Sequence, residues 1–589
     1  MPCATSSRRR PAFSVQAAAR VRTPRRQRNG PDRVPATLTL NGQTTAAVPG
    51  LTLFEHAERL GVRVPTSCKK QGKCKECLVE VTDGQDALSP PTPEEQHLRG
   101  HFRLSCRTTI AGDAHVRCHT MRRGQLRVLT GCADIAARHV GLALDPAVTR
   151  DGDRILVDGE EVARSTGPIH GMAMDLGTTT VVLRLFDLET GALVADASFE
   201  NPQRFGGSDV MARIQYDTEH GGFLLMRTLA GYISHAIEEF PVDPHTIYEL
   251  IVVGNATMRD LFFRQNVHSI GQSPYQSITE IEMAEGKRAS TSLVASGRRL
   301  LLPIHPQARV YGLPVISGHV GADAAACMLA VDLAHADRLT VMMDIGTNTE
   351  LLLGHRGRIL AASCPAGPAF EGGAISCGMP ALDGAVATVE ARDDGTFALG
   401  VIGDGPAEGL CGSGLVDTLS ELLRTGQMNA MGRFEDGASK VTLDPSTGVG
   451  LLESDVNELA QAKGANVAGL KVVLDTFGVD VDAIAVFYLA GGFGRHLRLD
   501  SAQRIGLVPM IPADRVVQVG NAAIEGATLA LLSRAKRAEL EATVRRVEHC
   551  RLETHPGFFD FFVDGCQFAP VIPASTTTDA GVAEPEAAR

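Results

Sequence analysis

Residues 172–187 read M-A-M-D-L-G-T-T-T-V-V-L-R-L-F-D. An apolar run carries Asp175, a turn follows at Gly177, Thr178 and Thr179, and a second apolar run begins at Val181. Short apolar runs bounded by turn residues are the pattern of strands buried on both faces. A turn of glycine and hydroxyl residues lets backbone N–H groups approach a phosphate, and an aspartate beside it is suited to holding hydrated Mg²⁺. One such phrase is weak, because ordinary hairpin turns use the same residues. Residues 341–354, V-M-M-D-I-G-T-N-T-E-L-L-L-G, repeat it, with Asp344, Gly346, Thr347 and Asn348 in the matching places. Two copies at domain-sized separation imply internal duplication and favour paired phosphate loops over two unrelated turns.

Further motifs follow in order. Residues 485–495, A-V-F-Y-L-A-G-G-F-G-R, read as a buried strand ending in Gly491 and Gly492, the place where α/β sheets bind ligands. Residues 519–532, V-G-N-A-A-I-E-G-A-T-L-A-L-L, begin a small-residue helix suited to packing closely behind it. In this order the motifs resemble the acetate/sugar kinase, Hsp70 and actin superfamily, in which phosphate loops from two lobes clamp ATP. S-G-H-V-G-A-D-A-A-A at 317–326 and G-L-C-G-S-G-L-V-D at 409–417 resemble its interlobe connecting helices. The resemblance implies that Asp175 and Asp344 hold Mg²⁺ through water or orient the attacking water. Gly177, Thr178, Thr179, Gly346, Thr347 and Asn348 would contact phosphates, and Gly491 and Gly492 adenosine.

Upstream, residues 67–77 read S-C-K-K-Q-G-K-C-K-E-C, which places Cys68, Cys74 and Cys77 at C-x5-C-x2-C spacing, with Cys106 following in L-S-C-R. Three thiols on one tight loop and a fourth from a distant segment can close around one small inorganic centre. Thiolates ligate iron–sulfur clusters, and a loop with a remote cysteine belongs to [2Fe–2S] ferredoxins. Gly72 inside the loop lets backbone N–H groups close on the sulfurs. Zinc is the rival, although structural zinc sites usually show two paired cysteine hairpins and Cys106 has no such partner. Around the loop, Asn41-Gly42 signals a hairpin between two short strands, and residues 53–60 read as a helix. L-V-E-V-T-D-G reads as a strand, and Thr92-Pro93-Glu94-Glu95 as a capped helix start. This pattern fits a β-grasp ferredoxin.

The expected fold class is a multidomain chain of α+β and α/β character. A disordered Arg-rich extension spans 1–35, and a β-grasp [2Fe–2S] ferredoxin-like domain spans 36–118. A linker subdomain at 119–168 follows, in which R-I-L-V-D-G-E-E-V-A reads as a hairpin. A two-lobed actin-like (RNase H-like) ATPase domain occupies 169–570, with its second phosphate loop at 341–354, and a disordered tail covers 571–589.

Composition narrows the class. With 44% hydrophobic and 21% charged residues, the 589-residue chain is ordinary globular protein of at least two domains. No apolar run is long enough to cross a membrane. A net charge of -11, no Trp and 5% aromatics argue against nucleic acid as a partner. No secretory signal is visible, so a reducing, cytoplasmic compartment with free thiols is expected. The Arg-rich start, Arg8 to Arg28 without an acid before Asp32, reads as a disordered extension; a transit peptide and a nucleic-acid-binding arm remain alternatives.

Cysteine loop, MDLGTTT, MDIGTNTE, AGPAFEGG and LAGGFGRHL, in that order over about 36–570, resemble the reductive activators of corrinoid-dependent methyltransferases. The resemblance implies an ATP-hydrolysing electron-transfer activase with a [2Fe–2S] cluster on Cys68, Cys74, Cys77 and Cys106, using ATP and Mg²⁺. It would return a Co(II) corrinoid protein to Co(I), take electrons from an external donor, and allow a second copy of the chain as partner. A ferredoxin-type cluster sits near about −400 mV, above a more negative Co(II)/Co(I) couple. At about 59 mV per 1.4 kcal/mol, roughly 10 kcal/mol from ATP offsets about 0.4 V. The loop at 364–380 reads as a structural loop or a partner surface, with Glu371 and Ser376 as candidates to reach the corrin. Two other classes stay open: an activator of a radical dehydratase, and a small-molecule kinase with a redox module.

Overall fold

In the computed structural model, residues 36–111, 115–122, 143–492 and 494–572 are described. The extension 1–35, residues 123–142 of the linker and the tail from 573 lie outside the described residues.

The two repeated phrases fold alike. Strand His170–Leu176 turns through 177–179 into Thr180–Asp187, and Thr340–Ile345 turns through 346–348 into Thr349–His355. In each pair the aspartate is the next-to-last residue of the first strand. Each first strand pairs antiparallel with the second, and the second with a third, Leu193–Glu200 or Arg358–Cys364. On its other edge each first strand pairs in parallel with a later one, Ile247–Val253 or Val486–Ala490. Both six-stranded sheets therefore run third, second, first, then fourth in order, which is the duplication expected from the sequence. A parallel neighbour must arrive by a crossover, which brings helices onto the sheet faces and buries both.

Helices Ala322–Ala330 and Ala522–Leu532 pack face to face between the lobes. The second belongs late in the chain but sits on the first-lobe strands His170–Leu176 and Ile247–Val253. Small residues permit the approach: a Cβ at Gly526 would lie 1.9 Å from the Ala326 carbonyl oxygen. Gly526→Ala is expected to force the helices apart at a cost of about 1–3 kcal/mol. A lower midpoint in thermal unfolding checks this.

The ferredoxin-like part is a five-stranded sheet in the order Gln43–Ala46, Thr37–Leu40, Val116–Thr120, Leu78–Asp83, Phe102–Leu104. Asn41 and Gly42 take the left-handed backbone of the expected hairpin turn. Helix Leu53–Leu60 is capped by Thr52 and Glu55 and ended by Gly61. Thr92–Glu95 forms a capping box on a 3-10 turn, and Glu95 turns inward to accept from Leu104 N and Thr108 Oγ1 at 3.0 Å each. The sheet runs on to Thr120, beyond the expected end at Cys118. In the linker the expected hairpin, Arg154–Val157 with Glu160–Arg164, gains a third strand, Val148–Asp151.

This sheet is seated on the first lobe. Arg122 and Arg63 converge on Glu239 at 2.5 Å, Tyr216 Oη donates to His97 O at 2.8 Å, and Arg204 meets Glu80 at 3.1 Å. Exposed ion pairs contribute little, so the half-buried contacts carry most of the seating. Among the described residues, no helix is long and apolar enough to cross a membrane.

Candidate functional site

The two repeated turns face each other across a cleft between the lobes. All ten residues expected around a nucleotide line it: Asp175, Gly177, Thr178, Thr179, Asp344, Gly346, Thr347, Asn348, Gly491 and Gly492. The turns touch directly, Thr179 Oγ1 to Thr347 Oγ1 at 3.0 Å. Gly491 N donates to Gly520 O at 3.0 Å, which joins its turn to the strand that leads into helix Ala522–Leu532. Side chains from behind fix the first turn. Asn255 Nδ2 donates to Thr178 Oγ1 at 2.9 Å, and the buried Arg213 donates to Thr178 O at 2.6 Å.

Five carboxylates share the cleft, Glu350 buried and Asp175, Asp323, Asp344 and Glu371 half-buried. Burial pushes Asp175 up to about 7; the Asn521 amide, 2.7 Å away, resists this and the Asp344 charge adds to it. Burial pushes Asp344 to about 6 against a hydrogen bond from the Cys327 thiol, and Asp323 to about 7. Glu350 and Glu371 are raised by burial too. Clustered carboxylates with raised values are a mark of functional sites, and they are the donors that hard cations take.

Sequence reading missed Asp323, Glu350, Asn255 and Asn521. Asn521 Oδ1 caps its helix by accepting from Ile524 N at 3.0 Å. A capping asparagine needs no other explanation, which hides its second bond to Asp175. Glu371, offered by the sequence as a loop residue or a candidate to reach the corrin, turns into the cleft and accepts from Thr179 at 3.0 Å and from Thr347. Ser376 is likewise tied down, its hydroxyl donating to Asp455 at 2.6 Å. The loop folds onto its own lobe through bonds such as Met379 N to Leu410 O, 3.0 Å.

The second cluster of groups is the cysteine loop. Cys77 Sγ donates to Cys106 Sγ at 3.3 Å, which brings the remote cysteine onto the loop. Burial opposes ionisation of Cys68, but hydrogen bonds from the Cys74, Lys73 and Gln71 backbone outweigh it and bring the thiol down to about 7. The Cys77 hydrogen bond, aided by Gly72 N–H, lowers Cys106, whereas burial raises Cys74. Gly72 has φ +70, and a Cβ there would lie 2.6 Å from Arg107 Nε. Backbone N–H groups aimed at sulfur suit thiolates, so the donor set and its surroundings fit a cluster held by four cysteines.

Residues 338–575 match the family model described as the C-terminal domain of RACo, the ASKHA domain, and residues 170–336 match the RACo middle region. Residues 38–111 match the 2Fe-2S iron-sulfur cluster binding domain. The chain is 27% identical over 575 residues to the corrinoid activation enzyme RamQ of Eubacterium limosum, covering 86% of this chain and 95% of that protein. It is 26% identical to a [Co(II) methylated amine-specific corrinoid protein] reductase of Methanosarcina barkeri, over 67% of this chain and 76% of the other. Among solved structures, a reductive activator for corrinoid, iron-sulfur protein superposes with TM-score 0.66 at 26% identity, covering 91% and 98% of the two chains.

Proposed function

The chain belongs to the RACo family of reductive activators, and on that premise we propose that it uses ATP to pass an electron to a Co(II) corrinoid protein, restoring Co(I) for methyl transfer. What carries this reading is the union in one chain of a cysteine loop, in which Cys68 meets Cys74 and Cys77 meets Cys106, and a cleft built from two phosphate-type turns.

Cys68, Cys74, Cys77 and Cys106 would hold the cluster. When bound, a [2Fe–2S] cluster supplies one-electron chemistry at low potential. The remaining roles belong to the chain's own residues. The turns at 177–179 and 346–348 bind the phosphates of ATP, and Gly491 and Gly492 approach its adenosine. Asp175 and Asp344 orient hydrated Mg²⁺ or the attacking water. Thr179 and Thr347 hold each other and Glu371 in the structure. A phosphate arriving between them exchanges those bonds for its own and changes how the lobes sit. That shift is the element through which hydrolysis acts on the bound partner. An external donor supplies the electrons, the corrinoid protein accepts them, and a second copy of the chain is compatible with this scheme.

The cleft carboxylates make nucleotide binding depend on pH. Asp175 and Asp344 are raised by burial to about 7 and about 6, so the charged forms that attract a cation populate as pH rises through that window. Affinity for Mg²⁺ with ATP is expected to tighten from about pH 5.5 to about pH 7.5, with release of protons. Calorimetry in buffers of different ionisation enthalpy reads both.

The direct test follows the visible spectrum of a Co(II) corrinoid protein mixed anaerobically with this chain, a reductant and ATP. The Co(I) spectrum is expected only when all are present. An equal rate without nucleotide would remove ATP from the scheme, and a phosphorylated small molecule would mark a kinase.

A further inference from the structure

The first lobe forms one wall of the cysteine loop. Helix Leu224–Glu238 brings Gly231, Tyr232 and His235 to Glu76, the residue before the ligand position Cys77. Gly231 lies so close that a Cβ would sit 2.7 Å from Glu76 Cγ. His235 Nε2 meets Glu76 Oε2 at 3.2 Å, and Ser67 Oγ donates to Glu76 Oε1 at 2.6 Å, so both carboxylate oxygens are engaged. Tyr232 is 0% exposed and its ring packs on Phe199, with centroids 6.1 Å apart. Its hydroxyl has no hydrogen-bond partner among the described residues. Burial raises this phenol well above its ordinary value, and after burial the charges bearing most on it are those of Cys77 and Glu76. A buried donor left unpaired costs free energy. The group that would answer it is therefore one that the cysteines hold.

We propose that Tyr232 is a positioning residue for electron transfer, donating its phenolic hydrogen to a sulfur of the cluster on Cys68, Cys74, Cys77 and Cys106. Hydrogen bonds to cluster sulfurs stabilise the reduced, more negative state and raise the potential. Because the donor comes from the ATPase lobe, the cluster reaches its full potential only when the ferredoxin sheet is seated there. Tyr232 thereby makes the electron donor sensitive to the nucleotide-binding half.

The inference rests on the ligand assignment above. The test uses the full chain, reconstituted with iron and sulfide, and reads the cluster's midpoint potential by EPR-monitored titration. Tyr232→Phe is expected to shift the reduction equilibrium about tenfold toward the oxidised form, about 59 mV more negative. Tyr216→Phe, which removes a seating bond to His97 O away from the cysteines, is expected to leave it unchanged. An unshifted Tyr232→Phe protein, or an equal shift in both variants, overturns the role of Tyr232. Wild-type protein grown with ring-deuterated tyrosine is expected to show deuterium coupling to the reduced cluster in pulsed EPR. Its absence overturns the proposal even if the variant does not fold. A chain that yields no cluster signal at all sinks the ligand assignment instead.

Discussion

Cys74→Ala protein is expected to bind ATP as the wild type does, to carry no intact [2Fe–2S] centre after anaerobic reconstitution, and to reduce Co(II) corrinoid protein no faster than the background. Cys74 sits on the loop between Ser67 and Glu76, whose backbone N–H groups both approach its sulfur. Alanine fills the same backbone position and removes only the ligand. The cleft lies in the other part of the chain, and none of its lining residues comes from the cysteine loop, so nucleotide affinity is the internal control. Titration with a fluorescent nucleotide and the visible absorption of the reconstituted protein separate the two effects. Normal cobalt reduction by this variant would break the electron path, whereas lost nucleotide binding would show that the two halves are not independent.

Asp175→Asn should produce the opposite pairing, a more stable protein that has lost its turnover. Burial lifts the Asp175 carboxyl from 3.8 to about 7, so the folded chain holds a proton there that the unfolded chain has released. Stability from that proton is present at low pH and fades as pH rises through the interval between the two values. Above about pH 7 the charged carboxylate carries a net cost of a few kcal/mol even with the Asn521 amide bonded to it. Asparagine carries no charge, so the variant's advantage in thermal midpoint is expected to be near zero at about pH 4 and to grow to a few degrees by about pH 7.5. ATP hydrolysis should fall about 10²–10³-fold, the usual loss on removing a group aimed at transition-state charge. A variant less stable than wild type across this range would mean that Asp175 contributes as a hydrogen-bonded structural residue through Asn521 instead.

Which features could be read before the fold was known follows a physical division. Repetition was legible: MDLGTTT and MDIGTNTE each encode strand, turn and strand locally, and the two sheets repeat their order around them. The cysteine spacing was equally local, apart from Cys106, whose place follows from the pairing of Leu78 with Leu104. Residues recruited from afar were not legible. Asp323 looks like any residue at the start of an alanine-rich helix, and it reaches the cleft only because that helix starts against Gly254, whose carbonyl accepts from Ala322 N and Asp323 N. Glu371 was visible as part of an unusual glycine-rich loop, yet its direction depends on how that loop closes on its own lobe. His235 and Tyr232 gave no signal, since each is an ordinary member of an amphipathic helix until the ferredoxin sheet is set against it.

Helix Ala522–Leu532 completes the first lobe from the far end of the chain, and this fixes the order of events on the ribosome. The strands of the first lobe are translated long before the segment that covers them, so that lobe cannot mature as it emerges. For several hundred residues of synthesis its sheet must wait with an apolar face uncovered, a state that invites aggregation. A message cut short before residue 522 should therefore yield insoluble protein or a chaperone-bound fragment, even though every residue of both repeated turns has already been made.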